Sequence, residues 1–329
     1  MSADDGVTVR RLTLMLTTPR IGPGLFMRDA WTALASATHV LARDEDETQL
    51  NAIQQSGIAA DHLGELEPGA LARLLVDRTE DGEVVWIGSA DGDPGLTEAL
   101  ATEVTSRQDP PEIEIMMGSY DVPGSRLLDL VAVMDRLRSP EGCPWDAEQT
   151  HESLVPYVIE ETHELVEAIE SGDRQHMVEE LGDLLLQVVF HARLGLEDPD
   201  SPFGIDDVAA GIVEKLVRRH PHVFADHDAD HDADTSAEVA ASWEQIKAAE
   251  KPHRTSPLDG IPQDLPALAR ATKAAARLST AGRLDLAEAA ASGDDLGSRL
   301  FALVLEARDN GQDPEAALRA AVRALDAQL

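Results

Sequence analysis

Three short apolar runs, VTVRRLTLML at 7–16, VVWIG at 84–88 and EIEIMM at 112–117, have the length and β-branched content of buried or half-buried strands. Helical periodicity fills 28–42 and 96–107 between them, and turn clusters stand at IGPG (21–24) and DGDPG (91–95). The first ~120 residues thus alternate strand and helix, which is the pattern of an α/β region. Pro123-Gly124-Ser125 ends that pattern, and nothing beyond it reads as a strand.

From Leu127 onward the apolar spacing is helical, with helices predicted over 125–138, 150–170, 174–197, 205–219 and 235–251. In the second of these, Val155, Val158, Ile159, Leu165, Val166 and Ile169 share one face. The third is apolar nearly all round (Met177, Val178, Leu181, Leu184–Leu186, Val188–Phe190, Leu194), which predicts a buried helix. Ser171-Gly172-Asp173 ends the second and caps the third. The run DHDADHDAD (226–234) reads as a solvated loop, and Pro257, Pro262 and Pro266 as a stiff linker before Ala/Leu-rich helices that continue to Leu329. The chain is therefore mainly α. Its predicted domains are an α/β region at 1–122, a helical domain at 123–256 and a further helical region at 257–329.

The helical part contains a repeat. ELGDLLLQVVFHAR (180–193) aligns without gaps to DLGSRLFALVLEAR (295–308), sharing Leu181/Leu296, Gly182/Gly297, Leu185/Leu300, Val189/Val304, Ala192/Ala307 and Arg193/Arg308. A glycine inside a helix costs about 1 kcal/mol relative to Ala, so its shared position argues against chance. In the second copy Glu180 has become Asp295 and Asp183 has become Ser298.

Composition narrows the possible partners. With 62 acidic and 27 Lys/Arg side chains the chain carries a formal charge of −35, which argues against nucleic-acid polymers and anionic membrane surfaces. A small anionic ligand remains compatible if metal cations or local Lys/Arg neutralise it. Apolar residues make up 43% and aromatics only 3%, so the core is built from Leu, Val, Ile and Ala. Cys143 is the sole cysteine, which excludes an intrachain disulfide and a thiolate zinc cage. No apolar run reaches about 18 residues. The opening MSADDGVTVRR has no signal-peptide core, and a soluble, cytoplasmic protein is expected.

The candidate chemistry is a set of carboxylates. Glu160, Glu161 and Glu164 lie on one predicted helix, Glu180 and Asp183 on the next. The i,i+3 spacing of Glu161/Glu164 and of Glu180/Asp183 puts each pair on one face, and a short turn makes the helices antiparallel, so the acidic faces can converge. Converging carboxylates repel unless a cation sits among them, and Mg²⁺ suits oxygen ligands supplemented by phosphate and water. A structural ion-pair network is the competing reading of the same residues.

GCPWD (142–146), the EExxE of 160–164, ELGDLLLQVVFHAR (180–193) and KLVRRHPHVFAD (215–226) together resemble the MazG family of nucleoside triphosphate pyrophosphohydrolases. The resemblance covers about 125–279. It implies an all-α NTP pyrophosphatase bundle that cleaves an NTP or dNTP to the monophosphate and pyrophosphate, with the choice between canonical and oxidised or non-standard nucleotides left open. It also implies Mg²⁺, with Mn²⁺ able to substitute, on Glu161, Glu164, Glu180 and Asp183. Glu160 or Glu161 would take the proton of the attacking water. Two other functions stay open: a non-enzymatic helical interaction module, and a dedicated dUTP, dCTP or phosphoribosyl-ATP hydrolase of the same superfamily.

Lys215, Arg218 and Arg219 form a basic cluster in a cation-poor chain. It reads either as a clamp on the β- and γ-phosphates or as helix C-terminal cations favoured by the macrodipole ahead of Pro221, and the resemblance favours the clamp. Trp243, with Lys247 one turn later, is either a core residue or a base-stacking platform. Trp145 either lines the nucleoside pocket or pins its turn. His163, His176 and His191 are expected to be structural or surface residues. Residues 8–118 resemble the first lobe of a tetrapyrrole methylase without its second lobe, which implies a non-catalytic remnant. The family resemblance further implies a homodimer; the alternative is a monomer in which 266–329, which resembles a degenerate second unit, covers the same surface.

Overall fold

The computed structural model describes residues 10–45, 47–89, 91–224 and 256–326, together with Thr235, Val239 and Ile246. By its contacts the chain divides into two compact units, 1–210 and 211–329.

The first unit opens with a five-stranded parallel sheet of order β3-β2-β4-β1-β5. Its strands are β1 (Arg11–Leu16), β2 (His39–Ala42), β3 (Asp61–His62), β4 (Val84–Ile87) and β5 (Glu112–Met117). Strand β1 pairs with β4 as Leu12↔Val84 and with β5 as Arg11↔Glu112. Between the strands run α1 (Arg28–Ser36), α2 (Thr48–Gln55), α3 (Pro68–Arg78) and α4 (Leu96–Ser106). Alternate strand residues face opposite sides, so both faces are dry. Leu12, Leu41, Val84 and Trp86 pack on α3 and α4, while Met15, Val40, Val85 and Ile87 pack on α1 and α2. The turn after β4 holds Gly92, Asp93 and Gly95 at positive φ. Asp93 is fixed there by accepting from Trp86 Nε1 at 2.8 Å and from Ser89 N at 3.1 Å.

Two features of this region depart from the sequence reading. The helix expected over 28–42 stops at Ser36, and His39–Ala42 is strand β2. Val40, Leu41 and Ala42 are buried on both sides, and in so short an apolar run the period does not tell helix from strand. The helices α2 and α3 were not anticipated, because 43–83 lacks the strong apolar runs that marked its neighbours.

After β5 the described residues hold helices only. In the first unit these are α5 (Arg126–Arg138), the short α6 (Pro144–Glu148), α7 (Val155–Ser171) and α8 (Arg174–Gly195). Arg20 ties the sheet region to α5 through Asp121 and Asp129, each at 2.7 Å. Met134, Leu154, Val189, Phe190 and Leu194 form the helical core. The buried Arg138 side chain closes one end of it. It pairs with Glu197 at 2.8 Å, donates to the Asp146 carbonyl and lies over the Phe190 ring. The 150–153 turn is joined to α8 by His151 and His191, whose Nδ1 atoms are 2.7 Å apart in nearly parallel rings.

The all-round burial expected of the third helix is not observed. Only the half of α8 from Gln187 to Gly195 is mostly buried, while Val178 is 71% and Leu181 49% exposed. The composition of α8 marks surface that must be covered, but α5 and α7 do not cover all of it.

The helix α9 (Ile205–Arg219) crosses the division between the units. The second unit continues with α10 (Pro221–Phe224), α11 (Ala267–Thr280), α12 (Leu284–Ala291), α13 (Leu296–Asp309) and α14 (Pro314–Asp326), and buries Ala275, Leu278, Ala287 and Val304. Here the repeat acquires a physical meaning. Asp295, aligned with Glu180, is the N-cap of α13 and accepts from Ser298 N at 3.0 Å. The helix begins where the copy in α8 is already two turns along, so the aligned acid caps a helix instead of projecting from its side. Among the described residues no helix is long and apolar enough to cross a membrane.

Candidate active site

The acidic residues are positioned by one helical hairpin. α7 carries Pro156 in its first turn, where a missing N–H costs no helix bond. It ends at Gly172, whose φ of 75° is a left-handed cap that glycine adopts without strain. Asp173 then caps α8 by accepting from Gln175 N at 2.9 Å and His176 N at 3.1 Å. With only Gly172 and Asp173 between them, the helices run back along each other, and Ala168 is fully buried.

Counting from the turn shows which acids must meet. At 1.5 Å per residue, Glu164 and Glu180 each lie about 10 Å from the turn, and Glu161 and Asp183 each about 15 Å. The structure follows this pairing. Oxygens of Glu161, Glu164 and Glu180 lie within 4.8 Å of one another. Asp183, half-buried, falls outside that group, yet it is the foremost of the charges acting on Glu161. Glu160 is exposed and contributes the least of the named charges.

The environment disfavours charge at this point. Burial first, then Asp183, Glu164, Glu180 and Glu160, pushes the Glu161 carboxyl above the ordinary range. Burial and Glu164 likewise raise Glu180, with His176 opposing them. Glu180 is 5% exposed, and its Oε2 is buried without a hydrogen-bond partner. A buried, unpartnered carboxylate oxygen beside two further carboxylates is costly in the bare protein. It is the donor set that a hard divalent cation takes, all oxygen and anionic. The residues present fit such an ion.

The other candidates are distributed as follows. Trp145 sits on α6, half exposed, with its ring edge-on to Tyr157 of α7 at 6.0 Å between centroids. Lys215, Arg218 and Arg219 lie on the part of α9 that belongs to the second unit. Arg218 pairs with Glu214 at 3.3 Å. Trp243 and Lys247 lie outside the described residues. Sequence reasoning missed the contact of His176 Nε2 with Glu180 Oε1 at 2.9 Å, although their i,i+4 spacing was there to be read.

The hairpin and α9 fall within a segment, 149–224, that matches the MazG nucleotide pyrophosphohydrolase domain. The chain is 52% identical over 236 residues to an uncharacterized 26.1 kDa protein of Streptomyces cacaoi, covering 71% of this chain and 94% of that one. It is 42% identical to the nucleoside triphosphate pyrophosphohydrolase/pyrophosphatase MazG of Thermotoga maritima, over 59% of this chain and 80% of that protein. The corresponding Escherichia coli K12 protein, named nucleoside triphosphate pyrophosphohydrolase, is 41% identical over 58% of this chain and 81% of its own length. The chain belongs to the MazG family of nucleotide pyrophosphohydrolases and is a hydrolase of that class.

Proposed function

We propose that this chain hydrolyses nucleoside triphosphates, NTP or dNTP, to the monophosphate and pyrophosphate in an Mg²⁺-dependent reaction, with Mn²⁺ able to replace Mg²⁺. The cellular role that follows is clearance of oxidised or otherwise non-standard nucleotides from the cytoplasmic pool. The observation that carries this reading is the orphaned Oε2 of Glu180 beside the oxygens of Glu161 and Glu164.

Glu161, Glu164, Glu180 and Asp183 hold the ion in this reading. When bound, it neutralises triphosphate charge and stabilises the charge that develops at the α-phosphorus. The protein's own residues do the rest. Glu160 or Glu161 accepts the proton of the water that attacks the α-phosphorus, and the raised Glu161 carboxyl is the better proton acceptor for burial and its acidic neighbours. Lys215, Arg218 and Arg219 hold the β- and γ-phosphates, with Arg suited to paired contacts with phosphate oxygens. Trp243, as a stacking platform for the base, and Lys247 contribute to substrate binding, while Trp145, in the first turn of α6, borders the nucleoside.

Assembly belongs to the same reading. Val155, Ile159, Val178 and Leu181 on α7 and α8 are about half exposed or more, which is apolar surface that a second copy would cover. A homodimer follows, with no membrane or nucleic-acid partner.

The direct test is pyrophosphate release from a panel of NTPs and dNTPs with Mg²⁺, Mn²⁺ or EDTA. Release with either metal and none in EDTA is expected. Undiminished release in EDTA, or none from any triphosphate, would remove the reading.

A further inference from the structure

The two oxygens of Glu180 have different surroundings. Oε1 is in ion-pair contact with His176 Nε2 at 2.9 Å, whereas Oε2 is buried and has no hydrogen-bond partner. A Glu side chain turns about a terminal torsion with broad, roughly two-fold minima. The helix alone therefore does not decide which oxygen, or which edge of the carboxylate, faces Glu161 and Glu164.

His176 supplies that decision. It stands one turn before Glu180 on α8, and its own backbone is held by the Asp173 cap. Its side chain is 38% exposed and belongs to no core cluster, so its contact with Glu180 is not a by-product of close packing. Among the described residues it is the one basic side chain within 4.0 Å of a carboxylate oxygen of Glu161, Glu164 or Glu180.

We propose that His176 is a positioning residue: by occupying Oε1 it turns Oε2 of Glu180 towards a divalent cation shared with Glu161 and Glu164. The imidazole touches neither the ion nor the substrate. This rests on the reading of the carboxylates as ion ligands given above.

The test is Mn²⁺ binding to the full chain, read as loss of the free-ion EPR signal, for the wild type, His176→Leu, His176→Ala, His176→Gln and Glu180→Gln. Leu and Ala remove the donor with different bulk, while Gln keeps an N–H at the same i,i+4 reach. Removing a group that orients a metal ligand typically costs 10- to 100-fold in metal affinity, so Leu and Ala are expected to weaken Mn²⁺ by about tenfold or more. Gln should restore most of the affinity. With saturating metal the Leu and Ala variants should recover kcat, because no reacting group is lost. Unchanged affinity in Leu and Ala, or an equal loss in Gln, would overturn the positioning role. The carboxylate reading would then survive provided the wild type binds Mn²⁺ and Glu180→Gln does not. A wild-type chain that binds no Mn²⁺ would overturn both.

Discussion

Glu161 and Glu180 are displaced in the same direction, and the sign of that displacement makes a prediction about stability. Both carboxyls are raised above the ordinary value of 4.5 by burial first and by neighbouring carboxylates next. A carboxyl raised in the folded state binds its proton better there than in the unfolded chain. Its contribution to stability is therefore complete below the ordinary value and is lost as pH rises through the raised one. Above the raised values the metal-free protein carries that repulsion. Glu161→Gln and Glu180→Gln should accordingly raise the melting temperature in EDTA at pH 7, an advantage that shrinks towards pH 4, while abolishing turnover. Adding Mg²⁺ should raise the wild-type melting temperature and leave these variants nearly unmoved. A lower melting temperature for both variants in EDTA at pH 7 would show that the acids are held by ion pairs instead. At this scale the cluster was legible: the i,i+3 spacings on two adjoining helices point to Glu161, Glu164 and Glu180, whose oxygens lie within 4.8 Å of one another. What could not be read was the inequality of the two Glu180 oxygens, because that depends on a side-chain torsion and on which atoms end up dry.

Among the elements, the hairpin of α7 and α8 was the most legible and the strands β2 and β3 the least. Gly172 and Asp173 announce the turn by their own chemistry, a left-handed cap followed by an N-cap, and counting back from it brings Glu164 level with Glu180. By contrast, Val40–Ala42 reads as the end of a helix because helix and buried strand share the same short apolar run, and only pairing with β4 settles it. The burial of α8 was overestimated for a related reason: composition shows which surface avoids water without showing what covers it. The half of α8 that is buried rests on α5 and on Leu154, with Phe190 3% exposed at its centre. Phe190→Ala should cost about 3–5 kcal/mol, through lost transfer energy and a residual cavity. It also removes the ring beneath Arg138. Chemical denaturation reads this directly, and a loss below about 1 kcal/mol would mean that the region is not a packed core.

For the whole molecule, the apolar surface on α7 and α8 sets the expected assembly. Light scattering should give twice the chain mass of 35.4 kDa. Val178→Asp and Leu181→Asp, which place charge on that surface, should shift the protein towards the monomer. A monomeric wild type would mean that the surface is not a contact between copies. The repeat at 295–308 was legible as sequence but not as structure. Its helix starts at Leu296, so the copy retains the apolar packing of α8 without the stretch that presents acids.

In the proposed reaction the acidic hairpin directs water to the α-phosphorus of a nucleoside triphosphate. Turnover of a dNTP with Mg²⁺ in ¹⁸O-enriched water, followed by ³¹P NMR of the products, tests it most directly. A monophosphate carrying the label and an unlabelled pyrophosphate, in equal amounts, are expected. Label in the pyrophosphate, or a diphosphate with inorganic phosphate, would contradict it.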